Sequence, residues 1–407
     1  EGPVHKSIPY VVQPDSIVPG VANYYATTIA DGFDCASILV KTREGRPIKI
    51  ENNTDAKVNG GGNARVQASV LTLYDSKRVQ GPMANGEPVE WKVLDATVKA
   101  KLNALKGSNK QVVLLTQTYA SPSTTKLISE FKAAYGENVN HVVYDAISED
   151  AALNAYQKAY GERALADYDF EKADLIVSFG ADFLGDWQGG GYDSGYAKGR
   201  VPKNGKMSKH VQLESNMSLT GANADKRYPM TPTQQKIALA KLYGKLNGSS
   251  VGGGTSDVDE AVDKVAAEIK RAGSKAVVVS GLNDVGALIM DGVNPAYTLP
   301  NAEEFLAGLG QVDVSVDFAY TNDETAQASN YVAAASHYLE SWGDAEFKKG
   351  EYSLMQPAIR ELFDTKQFQT ALLTWMGIEK TYYEYIKETW GTDVLQGGSW
   401  NQALQDG

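Results

Sequence analysis

QVVLLTQT, residues 111–118, is a near-continuous apolar run, and Ser121 and Pro122 follow it directly. Such a run is typical of a strand buried on both faces. Serine is a favoured helix N-cap, proline suits the first helical position, and Gly136 would end the helix that begins there. The stretch therefore predicts a β–α unit, the building block of a parallel sheet.

The same alternation recurs on both sides of this unit. Strands and helices of similar length that alternate in this way predict an α/β fold with doubly wound parallel sheets. The predicted strands are residues 141–145, 174–180 (DLIVSFG), 211–214, 275–281, 286–291 and 312–318. The predicted helices run from Ser148 to Tyr160, from Thr231-Pro232 to Asn247, over 257–272 and over 301–309.

The region before the first β–α unit has a different pattern. Residues 37–42 and 47–51 alternate as two strands, and Glu44-Gly45 between them predicts a hairpin turn. We therefore predict a small β-rich unit ahead of the α/β region. The predicted domains are an extended arm over 1–23, the β-rich unit over 24–99, a Rossmann-like α/β domain over 100–250, a second α/β domain over 251–335, and an aromatic C-terminal segment over 336–407.

Composition excludes several classes of function. The 407 residues carry a formal net charge of −11, which argues against binding to a nucleic-acid backbone. No run approaches the roughly 18 apolar residues that a membrane-spanning helix needs. One cysteine, Cys35, cannot form an internal disulfide, and no two of the four histidines have the spacing of a local zinc motif.

Two glycine-containing segments could bind ligands. Gly189–Gly191 follow a predicted strand, but Ser194 stands where a dinucleotide-binding fingerprint needs its third glycine, so plain loop glycines are the favoured interpretation. Gly292, Asn294 and Pro295 follow another strand, where α/β folds bind ligands, although a simple turn is favoured there.

The C-terminal segment has two open interpretations. His337, Glu340 and Asp344 could perform acid–base chemistry, but a hydrogen-bonded surface cluster is favoured. The aromatic side chains from Trp342 to Trp400 are either core or a surface that other subunits cover. We expect the arm, the loop over 185–209 and parts of this segment to contact other subunits.

Residues 38–51 (ILVKTREGRPIKIE) and 64–74 (ARVQASVLTLY) resemble the first domain of the molybdopterin oxidoreductases of the dimethyl-sulfoxide-reductase type. In that family a four-iron cluster is held by C-x2-C-x3-C-x27-C, with one thiolate for each iron. With Cys35 as the third ligand, the other positions are Thr28, Asp31 and Asn63. The resemblance implies a retained scaffold without its cluster, with Cys35 packed as a small buried side chain and Asn63 hydrogen-bonded.

The resemblance continues through DLIVSFG and through the turn at Gly292, Asn294 and Pro295, where the family approaches its pterin nucleotide. An arginine-rich nucleotide contact is replaced by residues 228–232 (YPMTP), and no downstream cysteine is present to ligate molybdenum. The resemblance therefore implies a vestigial pterin-side turn, and we expect neither cluster, molybdenum nor pterin in this chain.

A narrower resemblance rests on residues 339–344 (LESWGD) and 352–367 (YSLMQPAIRELFDTKQ). These are similar to the molybdopterin-oxidoreductase-like part of the iron–sulfur subunit of bacterial alternative complex III, a quinol:electron-acceptor oxidoreductase. The resemblance implies a peripheral, periplasmic position on the inner membrane. It also implies three partners: a multihaem cytochrome, integral quinol-binding subunits and a following ferredoxin-like region with iron–sulfur clusters, whose cysteine motifs this sequence lacks.

Three functions remain open at this stage. The first is a non-catalytic scaffold domain of such a complex, which the missing ligands favour. The second is an active molybdopterin oxidoreductase, and the third is a small-molecule-binding α/β protein that uses a crevice near Asn294.

The sequence also predicts a break in the chain. Residues 275–281 and 286–291 both resemble parallel strands, yet only four residues separate them, and parallel neighbours need a crossover of roughly a dozen residues. We therefore expect residues to be missing near Asp284–Gly286.

Overall fold

The structure is a computed structural model. It describes residues 17–32, 34–56, 61–106, 110–136, 139–185, 187–203, 205–248, 262–263, 276–279, 288–300, 302–310 and 312–406. Their strands form four sheets: a three-stranded antiparallel sheet, a seven-stranded mixed sheet, a four-stranded parallel sheet and a two-stranded ribbon.

The N-terminal sheet contains the predicted hairpin. Its connection at Glu44 and Gly45 has positive φ at both residues (51° and 76°), which is the backbone geometry that two-residue hairpins favour. One face of the sheet packs on the first helix through Ile38, Ile50 and Leu73. The strands are β1 (Ala22–Asp31), β2 (Asp34–Arg43) and β3 (Arg46–Asn52), in the order β1-β2-β3, and the helix is α1 (Ala64–Leu73).

The largest sheet is built around the strand of the QVVLLTQT run. Five adjacent strands of this sheet are parallel, and a short hairpin pairs antiparallel with the first of these five. The strands are β4 (Met83–Ala84), β5 (Glu87–Pro88), β6 (Val112–Thr116), β7 (Val139–Val143), β12 (Ile289–Asp291), β13 (Val316–Ala319) and β14 (Tyr331–Ala334). Their order is β5-β4-β14-β13-β12-β6-β7.

The second parallel sheet has the order β10-β9-β8-β11. Its strands are β8 (Leu175–Phe179), β9 (Lys209–Glu214), β10 (Lys226–Pro229) and β11 (Ala276–Val279), and the separate ribbon is β15 (Gly343–Lys348) with β16 (Glu351–Met355). β11 and β12 therefore lie in different sheets rather than side by side. The predicted break near Asp284–Gly286 lies outside the described residues.

Helix ends follow the capping residues of the sequence. The Ser121 hydroxyl accepts the backbone N–H of Thr124, and Thr231 forms a capping box with Gln234. None of the helices in the described ranges is long and apolar enough to cross a membrane. The other helices are α2 (Trp91–Leu105), α3 (Pro122–Tyr135), α4 (Asp150–Tyr160), α5 (Asp193–Gly199), α6 (Leu219–Ala222), α7 (Pro232–Asn247), α8 (Pro295–Thr298), α9 (Ala302–Leu309), α10 (Glu324–Ala328), α11 (Phe368–Met376), α12 (Tyr382–Thr389) and α13 (Trp400–Asp406).

A few predicted boundaries are wrong. β7 begins two residues before the predicted strand at His141, and Ser148 lies just outside α4, where its hydroxyl accepts the backbone N–H of Asp150. Residues 185–209 are not one irregular loop, because a 3-10 turn and α5 lie within them. Tyr192 and Tyr196, four residues apart, pack on Phe170 and Phe183 and so give that segment a core of its own.

The aromatic C-terminal segment is mostly core. Phe368, Trp375 and Trp390 are buried in the largest apolar cluster, together with residues of α2, α3 and the seven-stranded sheet. The interpretation as core is confirmed for Phe368, Trp375 and Trp390, and contact between other parts of this segment and other subunits stays a prediction. The strands of the predicted 100–250 domain lie in two different sheets, and the domain bounds themselves stay predictions.

Candidate functional site

Three of the four cluster-type positions lie on the paired strands β1 and β2. β1 and β2 stay paired up to Asp31 opposite Asp34, and this register sets Thr28 opposite Ser37 and Cys35 opposite Ala30. Since side chains alternate across a strand, Thr28 and Cys35 face one side of the hairpin, whereas Asp31 faces the other. The four positions have the spacing of the cluster motif in sequence, but the fold does not direct them to one point.

Asn63 lies on the Asp31 side, at the start of α1. Its side chain accepts the backbone N–H of Val66 (2.9 Å) and donates to Asp34 (2.6 Å) and to the carbonyl of Gly189 (3.0 Å). Arg65 donates to the same carboxylate through Nε (2.5 Å) and Nη2 (2.7 Å). Asn63 is hydrogen-bonded, as expected, whereas the roles of Asp34 and Arg65 carried no sequence signal because the motif spacing passes over them.

Cys35 is half-buried, so it is less enclosed than expected. Its Sγ lies 3.9 Å from the carbonyl oxygen of Gly32. Burial, with the carboxylates of Asp34 and Asp31 nearby, raises the pKa of this thiol to about 12. The thiol is therefore protonated at neutral pH, and a protonated thiol is a poor metal ligand and nucleophile.

The turn at Gly292, Asn294 and Pro295 opens onto a crevice of about 500 Å³. This crevice lies between the carboxyl ends of parallel strands of the seven-stranded sheet and of the four-stranded sheet. Gly292 has φ of 69°, and a Cβ there would lie 2.7 Å from the Gln117 side chain, so only glycine fits. The Asn294 amide donates to Glu324 (2.8 Å) and accepts from Thr325 (2.6 Å), and Pro295 opens α8. The turn thus lines the crevice, but the Asn294 side chain is already occupied.

The charge of this crevice does not suit a nucleotide. Arg65 is the one basic residue among its lining residues in the described structure, and it is paired with Asp34. A pyrophosphate needs positive charge or free backbone N–H groups around it, so repulsion opposes its binding here. The acidic residues that line the crevice are Asp31, Asp34, Asp145, Glu149 and Asp182.

A smaller cavity of about 150 Å³ adjoins the crevice at Asp31 and Gln117. The Tyr119 hydroxyl donates to the Asp291 carboxylate at the end of β12, and Gln117 donates to Asp31 (2.7 Å). Burial raises the pKa of Asp291, the Tyr119 hydrogen bond opposes this rise and the neighbouring Asp31 adds to it, so that the pKa reaches about 7. Sequence reasoning missed this pair, because Tyr119 and Asp291 meet only where two parallel strands end side by side.

The cluster predicted around His337 is not a surface feature. Glu340 and Arg78 form a buried bidentate pair (2.8 and 3.1 Å), and burial lowers the pKa of His337 to about 4. Asp344 lies apart from them and accepts from Ser121 and Ser123 (2.5 Å each). All three residues are buried and hydrogen-bonded, so their arrangement is structural rather than suited to acid–base exchange with a substrate.

The residues present do not fit a four-iron cluster. A cluster needs about four soft anionic ligands around one point. The four positions offer one thiol, and they are divided between the two sides of the β1–β2 hairpin. The described residues also contain no group of three or more His, Cys, Asp or Glu side chains arranged to hold a metal ion.

Comparisons with known proteins agree with this architecture. No family model matches the sequence. The chain is 22% identical over 459 aligned residues to the menaquinone reductase, molybdopterin-binding-like subunit, of Nitratidesulfovibrio vulgaris (strain Hildenborough). The match covers 88% of this chain, and the chain spans 64% of the length of that protein.

Among solved structures, the chain is similar to acetylene hydratase from Pelobacter acetylenicus, with a TM-score of 0.68 and 13% sequence identity. The match covers 93% of this chain and 73% of that one. At this identity the likeness shows the fold alone. The chain therefore has an α/β, multi-domain, molybdopterin-oxidoreductase-like fold.

Proposed function

We propose that this chain is a non-catalytic scaffold domain of a membrane-associated quinol:electron-acceptor oxidoreductase of the alternative complex III type, and that it binds no cluster, molybdenum or pterin. In this role it supports electron transfer from quinol to a cytochrome or oxidase by positioning subunits that carry the redox groups.

One observation carries the proposal. The β1–β2 hairpin divides Thr28 and Cys35 from Asp31, so the positions that would hold a cluster do not face one another. The adjoining crevice is acidic, and its negative charge opposes binding of the pterin dinucleotide as well. This chain's own residues therefore favour neither the cluster nor the dinucleotide.

The kind of complex is supported by a relative. The N. vulgaris protein is by its name a molybdopterin-binding-like subunit of a menaquinone reductase, and it matches 88% of this chain. We infer that this chain also serves a quinone-linked complex. From the resemblance in residues 339–344 and 352–367 we further propose a periplasmic, peripheral position, with a multihaem cytochrome, integral quinol-binding subunits and a ferredoxin-like iron–sulfur region as partners.

Purification of the tagged native chain from solubilised membranes tests this proposal. We expect a multihaem cytochrome and an integral membrane subunit to co-purify with it, together with quinol oxidation activity. The chain purified without such subunits, or with a soluble enzyme instead, would contradict the proposal.

The same preparation tests whether the chain is catalytic. Asp291→Asn and Tyr119→Phe change the most unusual pair beside the crevice while keeping its shape. We expect both complexes to oxidise quinol within about twofold of the wild-type rate, whereas loss of a general acid or base costs about a hundredfold or more. A loss of that size with an intact complex would assign chemistry to this chain.

A further inference from the structure

The segment over residues 198–209 is basic, whereas the chain as a whole is acidic. It contains five basic residues (Lys198, Arg200, Lys203, Lys206 and Lys209) and no acidic one, in a chain of net charge −11. Such a local excess creates a positive field in an otherwise negative surface, and it would orient the molecule toward an anionic partner.

The centre of this segment is a tight turn, which we call the basic hairpin (residues 201–203 and 205–207). Lys203 and Lys206 exchange backbone hydrogen bonds of 2.8 and 3.0 Å, and Gly205 has φ of 74°. This backbone pairing holds Lys203 and Lys206 opposite each other.

Lys198 and Arg200 are neutralised within the fold. Lys198 pairs with Glu171 (3.3 Å) and Arg200 pairs with Asp225 (2.6 Å). Lys203 and Lys206 are exposed, and within the described part of the chain neither has an ion-pair partner. The charge at the tip is thus available to a partner.

Aliphatic side chains flank these two lysines. Val201 is 57% exposed and Met207 is 49% exposed. A tip that combines exposed lysines with exposed aliphatic groups suits a surface that is anionic outside and apolar just beneath.

The basic hairpin lies away from the crevice. It leads into β9, whose first residue, Lys209, donates its backbone N–H to Asp174 just before β8 (2.9 Å). This is the amino edge of the four-stranded parallel sheet. Gly180 and Asp182 line the crevice at the opposite, carboxyl edge. The two features can therefore act independently.

We propose that the basic hairpin docks on the surface of an anionic lipid bilayer, with Lys203 and Lys206 at the headgroups and Val201 and Met207 in the interfacial layer. The net charge of −11 repels the rest of the molecule from such a surface, so that the contact fixes its orientation. This proposal stands apart from the proposed function, because vesicle binding is measured on the chain alone.

Flotation of the full chain with vesicles tests the proposal. The probes are phosphatidylcholine vesicles with and without about one quarter phosphatidylglycerol. We expect binding to the anionic vesicles only, with weakening as the salt concentration rises from about 0.05 M to about 0.5 M. A basic side chain near an anionic surface strengthens binding about fivefold, so Lys203→Gln/Lys206→Gln should bind roughly thirtyfold more weakly.

Two further variants complete the test. Lys77→Gln/Lys92→Gln removes two exposed lysines elsewhere and should bind within about twofold of wild type, since only proximity to the surface matters. Val201→Ser/Met207→Ser keeps every charge and should bind several-fold more weakly, because the aliphatic groups no longer enter the interfacial layer. Wild type that ignores anionic vesicles, or a Lys203→Gln/Lys206→Gln variant that floats as well as wild type, would overturn the proposal. So would salt-sensitive binding to an acidic protein without vesicle binding.

Discussion

At the residue scale, the fold raises the pKa of Asp291 into a range that an experiment can test. Its carboxyl accepts from Tyr119, faces Asp31 and titrates with a pKa of about 7 instead of 3.8, chiefly because of burial. As pH rises, the unfolded chain therefore releases this proton before the folded chain does. The stability that the protonated carboxyl preserves is complete below about pH 3.8 and is lost as pH rises through 7.

Asp291→Asn should remove this pH dependence. The amide oxygen still accepts from Tyr119 but cannot ionise. We expect the variant to be more stable than wild type at pH 8, by on the order of a few kcal/mol, and to differ little at pH 4. Urea unfolding at both pH values measures this. Glu361→Gln, at an exposed carboxyl, should leave the pH profile as in wild type, and an unchanged slope in Asp291→Asn would contradict the assignment.

Asp317 offers a second test at the residue scale. It is 1% exposed in the middle of β13, and its Oδ2 has no hydrogen-bond partner among the described residues. Burial raises its pKa well above 3.8, and Asp323 and Asp291 raise it further. We expect Asp317→Asn to stabilise the protein by about 1–3 kcal/mol at pH 9, because the carboxyl ionises freely in the unfolded chain and burial opposes its ionisation in the folded one. Thermal unfolding that shows lower stability at pH 9 than wild type would contradict this account.

At the scale of elements, the buried ion pair between Arg78 and Glu340 connects the chain that follows α1 to the C-terminal half. Arg78 also donates to the carbonyl of Leu73 at the end of α1, and Glu340 accepts the backbone N–H groups of His337 and Leu362. Removing one partner leaves a buried charge alone, whereas removing both does not.

Arg78→Met should therefore cost about 3–5 kcal/mol of unfolding free energy. Arg78→Met/Glu340→Met should cost less than Arg78→Met alone, because no unpaired charge remains. A double-mutant cycle by urea unfolding measures the difference. Costs that simply add would show that the two side chains do not depend on each other.

Elements with local signals could be predicted from the sequence. α3 and α7 begin at the predicted Ser121-Pro122 and Thr231-Pro232, because N-cap and first-turn chemistry act within a few residues. The full length of β1 was not predicted. The cluster motif concerns only the spacing of Thr28 and Asp31 in sequence and carries no information on which face of a strand they occupy. α5 was missed because the many glycines around it are typical of a loop, and they outweighed the helical spacing of Tyr192 and Tyr196.

At the scale of the whole molecule, the sheets could not be assigned from the sequence. β11 pairs with β8 and β12 pairs with β6, although β11 and β12 are close in sequence. Such pairing depends on contacts between distant segments, which no local pattern encodes. The acidic character of the crevice was hidden for the same reason, since Asp31, Asp145 and Asp182 come together from three separate parts of the chain.

We propose that the chain holds no iron–sulfur cluster, because the β1–β2 hairpin divides the four cluster-type positions between its two sides. Thr28→Cys/Asp31→Cys/Asn63→Cys supplies the missing thiols beside Cys35 without altering that geometry, and circular dichroism would verify that the variant is folded. The decisive measurement is iron bound per chain after anaerobic reconstitution of wild type and this variant. We expect substoichiometric iron in wild type and in the variant, because thiols on two faces of a hairpin cannot surround one cluster. About four irons per chain in either protein, with the absorbance of a thiolate-ligated cluster, would contradict it.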